Sequence, residues 1–207
     1  MIIIYLFIKY IFANIFNITI LYMSGGILPT TIHNNKIYFL FGKENRFADT
    51  PGWSDFGGGA EDGENYMTTA IREAEEEMTG FLGGEKDIKR LLKRYGTYDI
   101  TNAKYRMHIF PMAYDHLLPF YYNNNQRFLQ RRLDPTVIKT TKIFEKDEIR
   151  WISMDELKKY KPKFRSYFQA TVEIILEERS AIEQFIRKSL KGGKTAKKRT
   201  TRKLPRI

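Results

Sequence analysis

Four glutamates crowd into the five residues Glu73–Glu77, near the end of a segment whose apolar spacing predicts a helix over residues 65–78. Carboxylates three and four positions apart on a helix repel each other, and here they also face the negative end of the helix dipole. This arrangement lowers the stability of an isolated helix. The sequence therefore indicates that a cation compensates these charges in the folded chain.

The crowded glutamates belong to a longer frame with fixed spacing, which reads G-x5-E-x7-R-E-x2-E-E. The frame consists of Gly58, Glu64, Arg72, Glu73, Glu76 and Glu77. Its last three glutamates stand at i, i+3 and i+4, so their carboxylates share one helix face, and Glu75 points elsewhere. The stretch 50–64 is rich in glycine, which predicts a turn where the backbone can approach the carboxylates closely. A glycine-rich loop leading into an acidic helix face is therefore expected.

The residue types available restrict which metal such a face could hold. The chain has no cysteine and three histidines, so a thiolate or imidazole-rich site is not indicated. Carboxylate and carbonyl oxygens favour Mg²⁺ or Mn²⁺. The predicted ligands are the Gly58 carbonyl and the carboxylates of Glu64, Glu73, Glu76 and Glu77. For Glu64, pairing with Arg72 is the alternative to metal binding.

The frame resembles the signature of the Nudix hydrolases, G-x5-E-x7-R-E-U-x-E-E-x-G-U, where U is aliphatic. Ala74 occupies the first aliphatic position, whereas Thr79 and Gly80 depart from the pattern at its end. The similarity extends from about residue 23 to residue 160. It implies an α/β (α+β) fold of the Nudix type, in which an α/β/α sandwich with a mixed sheet carries a catalytic loop–helix–loop. It also implies metal-dependent cleavage of a nucleoside diphosphate linked to another group.

The resemblance implies two candidates for the general base. Glu73 occupies a position that family members use near the metal. Glu148 lies just before Trp151, where decapping-type relatives carry a loop glutamate, although an ordinary surface acid is the alternative there. Asp99 is either an outer metal ligand or a plain acid at the end of a strand.

Apolar patterning outside the frame predicts strands and helices without a regular alternation, which is typical of mixed folds. The predicted strands are 36–43, 91–100, 105–115 and 148–153. The predicted helices outside the frame are 123–135, 153–160 and a long one over 163–190. The hydrolase domain is expected to span residues 23–190.

Residues 1–22 are nearly all apolar, and three interpretations remain open. The segment is a translated A/T-rich leader ahead of a natural start at Met23, or a membrane anchor, or a packed element of the fold. The membrane is the less favoured partner, since no Lys or Arg closely flanks the apolar run.

The net charge of +11 is concentrated at the C-terminus, where ten Lys or Arg and no acid follow from Arg187 onward. Residues 191–207 are expected to form a disordered basic tail. Such a tail can bind RNA through its phosphates, and solubilising or nuclear targeting are the alternatives.

The segment 116–139 combines aromatic residues with arginines, and two roles are open for it: it holds a base and a polyphosphate, or it forms a helix that covers the core. Its substrate-binding candidates are Arg127 and Arg131, together with Arg72 of the frame. The segment looks similar to insertions in Nudix proteins of large DNA viruses, which include mRNA-decapping enzymes.

Three functions follow from these patterns: decapping of RNA, cleavage of a small nucleotide sugar, dinucleoside polyphosphate or diphosphoinositol polyphosphate, and non-catalytic nucleotide binding. A cytoplasmic location, in a host cell for a viral protein, is expected. The oligomeric state is not predicted.

Overall fold

The computed structural model describes residues 23–141 and 144–195, where a seven-stranded mixed sheet lies between two layers of helices. The strands are β1 (Ser24–His33), β2 (Lys36–Glu44), β3 (Trp53–Ser54), β4 (Phe56–Gly59), β5 (Tyr98–Asn102), β6 (Tyr105–Pro111) and β7 (Lys146–Ser153). The helices are α1 (Tyr66–Glu77), α2 (Glu85–Tyr95), α3 (Leu118–Arg132), α4 (Pro135–Thr140), α5 (Leu157–Tyr160), α6 (Phe168–Glu177) and α7 (Arg179–Thr195). This architecture confirms the predicted α+β sandwich.

Strand β1 organises the sheet. Its first half pairs antiparallel with β4, its second half pairs antiparallel with β2, and its other edge pairs parallel with β6. The remaining strands extend the sheet outward, β3 and β7 from β2, and β5 from β6. The glycine-rich strand β4 is therefore held against β1, directly before the chain enters α1.

Neighbouring residues of each central strand bury their side chains on opposite faces of the sheet. Ile27 and Leu40 pack in the core under α1, α2 and α3, whereas Leu28 and Phe41 pack in the core under α5, α6 and α7. All four side chains are fully buried. The sheet thus carries one core on each side, and α1 belongs to the first.

Part of the predicted secondary structure is wrong. Residues 91–95 were expected in a strand, but they form the last turns of α2, because Ile88 and Leu92 lie one turn apart on its buried face. Acidic residues in the first turn of α2 and basic residues in its last turn suit the helix dipole, and Gly96 ends the helix with φ of 72°. Strands β1, β3 and β4 were not predicted.

The long helix predicted over 163–190 is two helices, α6 and α7, which meet at Glu178. Both bury apolar residues in the same core, so the break leaves one continuous layer. Helix α7 continues to Thr195, beyond the predicted start of the tail.

The interpretations of residues 1–22 and of the tail from residue 196 onward concern segments outside the described residues. Among the residues that the structure does describe, no helix is both long and apolar enough to cross a bilayer.

Candidate active site

Helix α1 begins at a capping box whose N-cap is Asn65, where the predicted helix also begins. The Asn65 side chain accepts hydrogen bonds from the backbone N–H groups of Met67 and Thr68, each at 3.0 Å. In return the Thr68 hydroxyl accepts the Asn65 N–H at 2.8 Å. Because these bonds fix the first turn, they also fix which face of α1 turns inward, and Glu73 and Glu77 lie on that buried face.

The Glu73 carboxylate lies directly against the backbone of Gly58. A Cβ added at Gly58 would stand 2.5 Å from the Glu73 carboxyl carbon, whereas a Cβ added at Gly59 would meet nothing within 4 Å. The close approach that the glycine-rich loop predicts therefore occurs at Gly58, where only glycine leaves room for the carboxylate.

Arg72 joins three glutamates of the frame to the loop. Its Nε and Nη2 donate to the two carboxylate oxygens of Glu64 at 2.8 and 3.1 Å, and its Nη1 donates to Glu73 at 2.9 Å. Nη1 also lies 3.5 Å from Glu76, and Nη2 donates to the Gly59 carbonyl at 2.8 Å. The hydrogen bonds from Arg72 lower the pKa of Glu64 to about 2. Metal binding and pairing with Arg72 are the two predicted roles of Glu64, and this geometry shows the pairing with Arg72.

Lys146 is a second cation at the site, and no motif of the sequence indicates it. It stands at the start of β7, is completely buried, and places its Nζ 3.1 Å from Oε1 of Glu77. It also forms an ion pair with Glu44 and donates to Ser54 Oγ at 2.8 Å. The ammonium group is therefore shared between two buried carboxylates.

Further groups complete this buried network. The second oxygen of Glu77 accepts the Gly57 N–H at 3.0 Å, and Arg165 Nη1 lies 2.7 Å from Glu44. Burial works to lower the pKa of Lys146, but Glu77 and Glu44 outweigh it and hold the pKa above its ordinary value. Burial raises the pKa of Glu77, since Lys146 compensates it only in part.

Asp55 lies buried beside this network, on the short link between β3 and β4. Its carboxylate accepts a hydrogen bond from the Tyr105 hydroxyl. Burial raises the pKa of Asp55 to about 7, against the opposing effects of that hydrogen bond and of the Lys146 charge. Asp55 is thus an acid that changes charge near neutral pH.

The cluster keeps an excess of negative charge. Its carboxylates are Glu44, Glu64, Glu73, Glu76 and Glu77, and its cations are Arg72, Lys146 and Arg165. Five carboxylates and three cations leave a net charge of −2 when all are ionised, which is the charge that one divalent cation balances. Arg72 and Lys146 therefore supply much of the compensation that the crowded glutamates require.

The donor chemistry of the cluster suits Mg²⁺ or Mn²⁺, since it consists of carboxylate and backbone oxygens. Over residues 23–141 and 144–195, however, no three Asp, Glu, His or Cys side chains converge in an arrangement that could hold a metal ion. Arg72 and Lys146 pair with different carboxylates: Glu73 pairs with Arg72, and Glu77 pairs with Lys146. Glu76 is the most accessible of them, with 36% of its side chain exposed.

Glu148 and Arg127 do not belong to this cluster. They line a separate cavity of about 310 Å³. Its lining is polar and consists of Lys43, Asn123, Arg127, Gln130, Asp147 and Glu148. Glu148 stands on β7 rather than in a loop, with its carboxylate 4.0 Å from Lys43 and 3.5 Å from Arg150. The structure therefore gathers the six residues of the frame at one place and puts the second candidate base on another element.

Two further candidate site residues, Arg131 and Asp99, lie neither in the cluster of frame residues nor at the polar cavity. Arg131 is exposed near the end of α3, one turn beyond Arg127. Asp99 lies 2.7 Å from His108 Nδ1, its direct neighbour across the β5–β6 pair. Asp99 is thus a cross-strand partner of a buried histidine.

Helix α3 connects the cavity to α1. The buried Tyr122 hydroxyl donates to the backbone carbonyl of Glu77 at 2.7 Å, and the Asn123 side chain bonds the backbone of Ile149 on β7. One face of α3 therefore covers the core, as one of the two predicted roles of this segment requires, while its arginines face outward.

Comparison with known proteins identifies the domain. A family model described as the NUDIX domain matches residues 31–171. No curated protein sequence matches the chain.

Several solved structures are similar to this chain. An Ap4A hydrolase of C. elegans is 15% identical, with 78% of this chain and 97% of that chain covered and a TM-score of 0.43. The Nudix hydrolase RenU of M. smegmatis is 14% identical, with 77% and 87% covered and a TM-score of 0.45. The NUDIX domain of Shewanella oneidensis NrtR, solved with ADP ribose, is 11% identical, with 77% and 86% covered and a TM-score of 0.42.

Proposed function

We propose that the substrate of this chain is capped RNA and that its cofactor is Mg²⁺ or Mn²⁺. The premise is that the chain belongs to the NUDIX family and is a hydrolase acting on pyrophosphate bonds. The observation that carries the assignment of the site is the contact between Gly58 and Glu73, because it brings the glycine-rich loop and the acidic helix face together. The cytoplasm is the proposed location, which the lack of cysteine suits.

The residues around Gly58 have separate roles in this proposal. Glu73, Glu76 and Glu77, together with the Gly58 carbonyl, would hold the divalent ion. An ion bound there would neutralise phosphate oxygens and make a water molecule more acidic. Glu73 accepts the proton of the attacking water as general base. Arg72 keeps Glu73 and Glu64 in place through the bonds described above.

Lys146 has a positioning role, since it cannot reach solvent. It fixes one oxygen of Glu77 while the Gly57 N–H fixes the other, so this carboxylate keeps one orientation. The loop and the helix are thereby tied to β7 through a single buried ammonium group.

Capped RNA is favoured by the distribution of positive charge. Arg127, Arg131 and Arg132 stand on α3, the helix that contacts α1, and the basic segment from Arg187 onward has no acid. A polyanion longer than a dinucleotide offers more phosphates to such groups, and each engaged phosphate adds affinity through counterion release.

A second candidate is a small nucleoside diphosphate derivative, and the polar cavity between β2, β7 and α3 favours it. Lys43 and Arg127 stand at its wall, and its volume of about 310 Å³ is in the range of small-molecule sites.

The deciding experiment compares kcat/KM for capped RNA with kcat/KM for the free cap dinucleotide, both with Mg²⁺. Capped RNA should be cleaved at least about tenfold more efficiently, since RNA phosphates contribute binding. Glu76→Gln should abolish both activities by removing a ligand, and it serves as the inactive control. Equal efficiency on the two substrates would favour the small-molecule alternative.

Removing residues 196–207 tests the tail separately. This deletion should raise KM for capped RNA at low salt and leave the cap dinucleotide unaffected. An unchanged KM for capped RNA would remove the tail from the RNA-binding proposal.

A further inference from the structure

The outward side of helix α3 carries large apolar side chains where a surface helix normally carries polar ones. Phe120, Tyr121 and Phe128 are each 57% or 58% exposed. They recur at the spacing of one helix face, opposite the buried Leu118 and Tyr122. Single exposed apolar residues are ordinary, but three aromatic rings on one helix face form a patch that indicates a binding surface.

Arginines share this face with the aromatic rings. Residues 127, 131 and 132 are exposed arginines, and the Arg132 guanidinium lies 5.5 Å from the centre of the Phe128 ring. From residue 116 to residue 133 the chain contains no acid. Phe120, Tyr121, Arg127, Phe128, Arg131 and Arg132 are called the α3 outer face below.

We propose that the α3 outer face binds the single-stranded RNA that follows the cap, with bases stacked on Phe120, Tyr121 and Phe128 and phosphates on the arginines. Stacking on aromatic side chains combined with cationic groups along the backbone is the general mode of single-strand recognition. This inference rests on the proposed function, because it concerns the RNA body of that substrate.

The spacing along the helix suits a strand of RNA. Tyr121 and Phe128 are seven residues apart, which at about 1.5 Å per residue places them about 10 Å apart along the axis. Two or three nucleotides of a partly extended strand span that distance. Along α3 the order is two rings, Arg127, Phe128 and then two arginines, so a strand lying along the helix meets both aromatic rings and cations.

The position of the arginines argues against a membrane as the occupant. In a helix that lies on a bilayer, the basic residues occupy the polar side and the apolar residues the opposite side. Here the arginines and the aromatic rings stand on the same side of α3, while the other side is buried in the protein. Planar guanidinium groups also suit both phosphate binding and stacking on bases.

The location of α3 connects this surface to the site. Tyr122, next to Tyr121, bonds the backbone of Glu77, and Arg127 lines the polar cavity beside Glu148. RNA lying on the α3 outer face would therefore pass beside the polar cavity, on the helix that bonds the backbone of α1.

The test measures binding of an uncapped 12-nucleotide single-stranded RNA by fluorescence anisotropy, using the full chain with EDTA present. Phe128→Ala should weaken binding about 5- to 100-fold without changing the slope of log affinity against log salt, because stacking involves no counterions. Arg131→Ala with Arg132→Ala should lower that slope by about 1.4, from about 0.7 for each lost phosphate contact.

Matched controls come from other surfaces of the chain. Phe47→Ala removes another exposed phenylalanine, in the loop after β2, and Arg90→Ala removes an arginine of α2 whose side chain is 76% exposed. Both should leave the affinity within about twofold of the wild type and the salt slope unchanged. Circular dichroism and thermal unfolding establish that each variant is folded.

Three results would overturn the inference: unchanged RNA affinity in Phe128→Ala, a wild-type dimer that this substitution dissociates, or binding to anionic vesicles that RNA does not displace. Because the probe is uncapped and hydrolysis is blocked, failure of decapping would refute the proposed function and leave this inference standing. Decapping with unchanged probe binding would refute only the inference.

Discussion

Lys146 Nζ lies 3.1 Å from Oε1 of Glu77, and neither side chain is more than 3% exposed. A buried ion pair of this kind contributes little net stability compared with an apolar pair, but removing one partner leaves an uncompensated charge in the core. The acidic helix therefore depends on a lysine from a distant strand.

Lys146→Met should lower the free energy of unfolding by about 3–5 kcal/mol, because Glu77 and Glu44 then face each other without the ammonium group. Urea unfolding at pH 7 measures this change. Lys43→Met is the control, since Lys43 pairs with Glu148 only at 4.0 Å on the surface, and it should change stability by less than about 0.5 kcal/mol. Equal effects of the two substitutions would contradict the role of the buried pair.

Gly58→Ala should displace the Glu73 carboxylate, because the new methyl group would stand 2.5 Å from it. We expect kcat with Mg²⁺ to fall by about 100-fold or more, since displacing a catalytic group by about 1 Å has effects of that size. Gly59→Ala is the matched control, because a Cβ there meets nothing within 4 Å. A similar loss in both variants would show that the effect is not specific to Glu73.

Glu73→Gln should lower kcat by about 10²–10⁴, the usual contribution of a general base, and should remove the acidic limb of the pH–rate profile. Glu148→Gln should have the smaller effect, because Glu148 lies at the polar cavity between Lys43 and Arg150. Steady-state kinetics of both variants on the cap dinucleotide make the comparison. The reverse order would transfer the role of the base to Glu148.

Asp55 should make the protein less stable as the pH rises. Its pKa is about 7 in the folded state against 3.8 ordinarily, so the folded state holds the proton more tightly. Its stabilising contribution is complete below about pH 4 and is lost as the pH rises to about 7, by about 4 kcal/mol in all. Asp55→Asn should flatten this dependence in urea unfolding between pH 4.5 and pH 8. Parallel curves for variant and wild type would contradict it.

Thr79→Gly should stabilise the protein by about 0.5–1 kcal/mol. Thr79 has φ of 46°, a left-handed conformation that is strained for a β-branched residue, and glycine relieves the strain at some entropic cost. Thr79→Ala keeps the Cβ and should gain less, which separates backbone strain from loss of the hydroxyl. Thermal unfolding of the two variants measures the gain in stability of each. A larger gain in Thr79→Ala than in Thr79→Gly would refute this explanation.

The local parts of the site were predictable from the sequence. Helix α1 follows from its apolar spacing, and a close approach of the backbone to its carboxylates follows from the glycine-rich stretch before it. Both depend on residues within one short segment. The departure at Thr79 was also visible, since this position holds glycine in the pattern that the frame resembles.

Lys146 could not be predicted, because nothing nearby in the sequence distinguishes it from Lys43. Both stand on strands beside acidic residues, yet the Lys43 side chain is 47% exposed and that of Lys146 is fully buried. The register of β2 against β7 shifts between Lys43 and Glu44, opposite Lys146, and this irregularity directs the two lysines to different surroundings. A strand bulge has no reliable signature in a single sequence.

The cation that Glu44 and Glu77 share comes from far along the chain, since Lys146 lies 102 residues after Glu44. During synthesis the ribosome completes β1, β4 and the acidic helix long before it adds this lysine. A nascent chain that ends before residue 146 therefore contains Glu44 and Glu77 without the ammonium group that pairs with both. Assembly of the active site must wait for the last strand of the sheet, however early its helix emerges.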